Sequence, residues 1–246
     1  RPFSSVYRPW HGWCDFGIGS LCCFDSRRMD AACYALDLGY PQSVELLDVG
    51  DTSEDRFPRW STVRYDFPQR GKMPPVRVFW HEGSKPNTDG SYKGPDGKPT
   101  RTRPHHPPIY AEIERLDKQL AKRLTGAADV YVGEKGIICC GSHGGRPVLL
   151  PASRRAEFTP PPRTRPRPSG GIMGDFLRAC RAGGGPTFSG FATFAGPFLE
   201  MLLVGHLAMR AGLNNVVQWD GAAMKCTNRP ELNQYVTREY RKGWSL

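Results

Sequence analysis

Residues 61–68, "STVRYDFP", and 75–83, "PVRVFWHEG", alternate apolar with polar side chains across a short spacer, "QRGKMP". Period-two alternation on both sides of a Gly- and Pro-containing spacer is the pattern of a hairpin with one buried face. "SVELLDV" (43–49) predicts a strand before it. Later, "DVYVGEKGIICCG" reads as strand, turn, strand, and "RPVLLP" as another short strand. Adjacent Cys139 and Cys140 then point to opposite faces.

Helical periods separate these groups. Ser20 stands at an N-cap position, and Leu21, Phe24 or Asp25, Arg28, Cys33 and Leu36 carry a helix over 21–38 to a stop at Gly39. Ile109, Ile113, Leu116, Leu120 and Leu124 share one face of a helix over 108–127. "MGDFLRACRAGG" (173–184) predicts another. In "FAGPFLEMLLVGHLAMRAG" (194–212), Pro197 suits a first turn, and Glu200 and His206 interrupt the apolar run, so a core helix is expected and no membrane span. His206 is expected to be a satisfied core histidine. Thr227 or Asn228 can cap a closing helix that starts at Pro230 and ends at Trp244; Glu231, Asn233 and Tyr235 serve capping and packing there. The order helix, strands, helix, strands, helices is not a βαβ alternation. It predicts an α+β fold, a large and mostly antiparallel sheet covered on one face by helices, in one domain over 1–246.

The net charge of +10 favours anionic partners. About +7 of it lies in two Pro-rich insertions, 84–108 and 151–171, where the arginines interleave with prolines and no nucleic-acid motif accompanies them. Solvated loops are expected there, His105 and His106 included, and nucleic-acid binding is not. The eight cysteines form no C-x-x-C pair and have no histidine at ligand spacing, so no metal site is expected, and reduced thiols point to the cytoplasm, with the periplasm left open. There is no initiator Met and no signal peptide, and further sequence is expected ahead of residue 1.

"WHGWCDFGIGSL", "ALDLGYPQSVE", "STVRYDFPQRGKMPPV", "VYVGEKGII", "AGPFLEMLLVGHLAMRAG" and "MKCTNRPELNQYVTREYRKGW" occur in this order. Together they resemble the C-terminal portion of the larger bacterial Gfo/Idh/MocA oxidoreductases, over nearly the whole chain except the Pro-rich insertions. The resemblance implies a substrate and oligomerisation domain that works with a Rossmann domain binding NAD(P), and a sugar or sugar derivative as substrate. No G-x-G-x-x-G follows a strand in this chain, so no cofactor site is expected within it, and the Rossmann domain would act in cis or in trans. A homo-oligomer through the sheet is likewise implied.

Members of the family carry an Asp and, four residues on, a His in the first helix, an acid/base pair for a sugar hydroxyl. Here those positions fall on Cys23 and Arg27. A thiol can exchange a proton and a guanidinium cannot near neutral pH. The readings left open are a working Cys23 base, a degenerate site, a slipped alignment, and an Arg27 that binds an anionic substrate group. Gly171-Ile172-Met173 departs from the family's Gly-His-His in the same direction. Trp10, His11 and Trp13 match a pocket-lining Trp-Arg-Gly-Trp-like stretch, with His11 in the Arg position. Aromatic faces suit pyranose rings, and Asp15 can accept from hydroxyls; edge packing by the tryptophans is the alternative. The functions to separate are the substrate domain of a sugar oxidoreductase, a relative cleaving glycosides through transient oxidation, a carbohydrate-binding or assembly module without the chemistry, and a basic interaction protein acting through its Pro-rich arms.

Overall fold

Alternation along the three central strands sets up two faces, and helices cover one of them. In the computed structural model, which describes residues 10–23, 26–94, 96–124, 128–162, 167–181, 183–237 and 240–244, the chain has the expected α+β fold. Strands β1 (Ser43–Gly50), β2 (Trp60–Phe67), β3 (Val76–Pro86) and β4 (Thr102–Pro104) join two late strands, β8 (Val216–Asp220) and β9 (Lys225–Cys226), in one sheet of order β4-β3-β2-β1-β8-β9. Every pairing in it is antiparallel. A second antiparallel sheet of three strands holds β5 (Ala128–Gly133), β6 (Gly136–Gly141) and β7 (Val148–Leu150).

On the covered face, Val63 pairs with Trp80, Tyr65 with Val78 and Phe67 with Val76, while Val44 and Leu46 of β1 stand opposite Tyr65 and Val63. Over them lie α1 (Gly19–Cys23), α2 (Ser26–Leu36) and the long α7 (Gly196–Ala211), which contributes Phe198, Met201, Leu202, Val204, Leu207 and Ala208. Each large side chain buried here stabilises the fold by about 1.5–3 kcal/mol relative to exposure. Pro197 takes the first turn of α7, and a π-helical turn, Phe191–Ala195, leads into it. That entry makes the apolar helical stretch 21 residues, Phe191–Ala211, long and apolar enough to cross a membrane. The sequence reading, which began the run at Phe194, came out shorter. In this fold its inner side packs on the sheet.

A smaller cluster lies under the three-stranded sheet. Ile113 of α3 (Ile109–Leu116), Leu120 of α4 (Lys118–Arg123), Leu124, Ile137, Cys139 and Leu150 are buried together. The single helix expected over 108–127 is therefore two. Asp117 leaves the helical conformation and its side chain accepts from the Leu120 N–H, so it ends α3 and caps α4. Residues 125–127 lie outside the described residues. The helix expected over 21–38 is described over Gly19–Cys23 and Ser26–Leu36, with Phe24 and Asp25 outside the described residues.

Two further expectations are corrected. The first Pro-rich insertion is not a solvated loop: β3 runs into it as far as Pro86, β4 pairs back onto β3, and Asn87 is buried, donating to the carbonyls of Tyr92 and Thr100. His105 and His106 are half-buried by it, His105 against Thr62 and His106 stacked on Tyr110. In the second insertion, α5 (Ala152–Glu157) and the residues to 162 are exposed, and 163–166 lie outside the described residues. The closing helix is a short 3-10 segment, Pro230–Tyr235. Asn233 accepts from the Cys226 N–H and donates to its carbonyl, and Asn228 does the same across Gln218 and Val216, so these side chains bracket β9 and β8 rather than extend a helix. The helix α6 (Gly171–Cys180) holds Gly171, Ile172 and Met173 in its first turn, with Ile172 and Met173 exposed.

Candidate functional site

The loop before α1 is a 3-10 turn, Trp10–Gly12, fastened to the β1–β2 connection: Cys14 N–H donates to the Asp55 carbonyl and Phe57 N–H to that of Gly12. Gly17 returns the loop so close to His11 that a Cβ at 17 would stand 2.6 Å from the His11 backbone, and only glycine fits there. This return brings His11 onto α1. The His11 ring stacks on Trp10 with centroids 3.7 Å apart, and its Nδ1 lies 3.3 Å from the Cys23 thiol. Trp10 is 41% exposed. Trp13 forms a bridge with Arg56 and is half-buried, while Asp15 is exposed.

Cys23 ends α1 and Arg27 belongs to α2, where it is exposed. Phe24 and Asp25 between them lie outside the described residues, and the Cys23 thiol makes its contact with His11. Arg28 has a different role. Its charge acts on Asp129 of β5, a carboxyl that burial pushes up to about 6 while Arg28 and the Gly144 N–H work against the rise.

The neighbouring thiol repeats the arrangement. Cys22 is buried with its Sγ 3.8 Å from His206 Nε2, and the His206 ring lies 4.7 Å from that of Phe57. Burial, with the nearby charge of Arg210, holds the His206 imidazole down at about 4, so it is neutral at physiological pH, a satisfied core histidine as expected. Beneath α1, Glu82 of β3 faces the covered side of the sheet and accepts from Ser61 Oγ at 2.5 Å. Burial pushes its carboxyl above the ordinary range, against the hydrogen bonds of Ser61 and Ser20, which favours the neutral acid. Sequence reasoning passed over Glu82. The available signal was parity, since it shares a face with Val76, Val78 and Trp80.

The site therefore offers an exposed indole stacked on an imidazole, a thiol against that imidazole, and a buried carboxyl behind the helix. An indole face and polar edges can hold a sugar ring, and the imidazole can exchange a proton with a hydroxyl. None of the eight cysteines is in a disulfide, and among the described residues no group of three or more His, Cys, Asp or Glu is placed to hold a metal ion. Among the described strands every pairing is antiparallel, so none of them forms the parallel strand–helix–strand unit of a dinucleotide fold. No protein-family model matches the chain, and the comparison with curated proteins gives no match.

Proposed function

We propose that this chain is a carbohydrate-binding domain of the kind that forms the substrate half of Gfo/Idh/MocA-like oxidoreductases, with Trp10 and His11 as the sugar platform and Cys23 behind it. The contact that carries this reading is His11 Nδ1 to Cys23 Sγ at 3.3 Å, with the His11 ring stacked on Trp10. His11 occupies the position where the resemblance has an arginine, and it returns to the site the imidazole missing at 27. Hydride acceptance falls to an NAD(P)-binding Rossmann domain in cis or in trans, as the resemblance implies. The role left to these residues is to bind and orient the sugar and to hold a proton at the His11 imidazole.

Titration of the chain with a panel of neutral hexoses and hexuronic acids, read by tryptophan fluorescence, tests this. At least one sugar should give a saturable change, and Trp10→Ala or His11→Ala should weaken it about ten-fold or more, roughly the loss of one stacking contact. Absence of any saturable change across the panel overturns the reading, as does reduction of NAD(P) by this chain alone.

A further inference from the structure

A concavity of about 520 Å³ opens on the other face of the six-stranded sheet. Its size suits a small molecule. Alternation puts Thr62 and His81 there, directly opposite each other across β2 and β3, one residue from the core pair Val63 and Trp80. A β-bulge at Leu47 brings Asp48 opposite Thr62 on the same face. The folded-back insertion supplies the far wall with Tyr92, Arg103, Pro104, His105, His106 and Pro108.

Three hydrogen bonds and one longer polar contact run along the floor. Lys85 donates to Asp48, and Asp48 Oδ2 lies 3.6 Å from His105 Nε2. With its proton on Nε2, the nitrogen nearer that carboxylate, His105 donates to Thr62 Oγ1 at 2.8 Å. Thr62 then accepts from His105 and has one proton to give, to His81 Nδ1 at 3.0 Å. The other ring nitrogen of His81 is left as a donor. Burial, then the charge of His105, holds His81 down at about 4, and burial lowers His105 and His106 as well, so all three are neutral at pH 7.

Within the lining the charges do not balance, with Asp89, outside it, held low by its hydrogen bonds with Ser91 and in part by the charge of Arg103. Lys85 and Arg103 are direct cross-strand partners on β3 and β4, a like-charge juxtaposition that destabilises a ladder. Asp48 is the single carboxylate in the lining, and Lys85 and His105 already engage it. The guanidinium of Arg103 is exposed at the rim. One more anion would offset the second cation, and a planar fork beside an ammonium matches an oxyanion with two or three oxygens. Leu47, Tyr92, Pro104 and Pro108 would meet an apolar or ring-shaped body attached to it.

We propose that this cleft is a binding site for a small organic oxyanion, a phosphate monoester or a carboxylate, held by Arg103, Lys85 and the free ring N–H of His81. It lies across the sheet from His11 and Cys23, and it does not rest on the carbohydrate reading. Imidazole ring resonances of the ¹⁵N-labelled chain, followed during titration with inorganic phosphate and separately with acetate, test it. The His81 and His105 signals should shift saturably, and Arg103→Gln should weaken binding about ten-fold or more while Arg103→Lys restores part of it. Tighter binding of phosphate than of acetate assigns the phosphate ester, and the reverse assigns the carboxylate. No shift of either ring with both anions at about 10 mM, a weak limit even for one oxyanion contact, overturns the proposal. So does binding that is unchanged in both Arg103→Gln and Lys85→Gln.

Discussion

The two faces of the six-stranded sheet are written in the same three strands and differ in almost every property. Val63, Tyr65, Val78 and Trp80 look toward the helices in a dry, close-packed layer, while Thr62, Arg64, Phe79 and His81, their immediate chain neighbours, look away. On that side Arg64 bridges Glu45 and Asp66 at 2.7 and 2.9 Å. Stability therefore resides on one face and the polar chemistry of the strands on the other, with a single residue step between them. Where the helix side does carry polar groups, as at Ser61 and Glu82, they are paired with each other under α1.

The contrast is broken most forcefully from the helix side. Leu202→Ala, fully buried in α7, should cost about 2–5 kcal/mol in urea unfolding, whereas Arg64→Ala on the outer face should cost less than about 1 kcal/mol, because its ion pairs are partly exposed. Equal losses would show that the faces share the load. A subtler test is Gly205→Ala. In an open helix this change gains about 1 kcal/mol, but a Cβ here would stand 2.1 Å from Tyr65 Oη and 2.6 Å from Leu21 Cδ2. A net loss of about 1–3 kcal/mol is expected from overpacking, and a gain would mean that α7 sits less tightly on the sheet than described.

The smallest effect comes from pH and compares one imidazole from each face. His81 and His206 both have folded values depressed to about 4 from 6.5. Such groups are neutral in both states above 6.5, so the stability is whole there. It is lost as pH falls from about 6.5 toward 4, because the unfolded chain takes up the protons first. From pH 7.5 to 6 the loss should stay under about 1 kcal/mol per imidazole, and less for the half-buried His81. Urea midpoints of His206→Gln should fall less steeply over this range than those of the parent. An unchanged slope would mean that His206 is solvated.

Much of this was legible because it is local. The hairpin around 69–74, the strand at 43–49 and the Pro197 start of the core helix follow from alternation and punctuation, and all three are present. Apolar period alone did not disclose the break at Asp117, since Ile113 and Leu120 keep one face across it; the capping side chain decides there. The first Pro-rich insertion was opaque for another reason. Proline and charge describe how a segment behaves alone, and the pairing of Lys85 with Arg103 across 18 residues is a tertiary fact. The candidate site was half visible: Trp10, His11 and Cys23 were singled out, but their meeting depends on the close return at Gly17, and no spacing rule connects residues 11 and 23. His81 and His105 meet only because two strands and a folded insertion converge on Thr62.

The bulge at Leu47 has a consequence for how this strand tolerates changes in length. It absorbs one residue between Leu46, opposite Val63, and Asp48, opposite Thr62. Losing Leu47 would leave Asp48 and Val49 facing as they do now, with a plainer strand. Losing one residue from the unbulged ladder of β2 would instead turn the rest of the strand over, sending core side chains such as Tyr65 into water and outward ones such as Arg64 into the core. A one-residue gap in this sheet is survivable at 47 in a way that it is not next door.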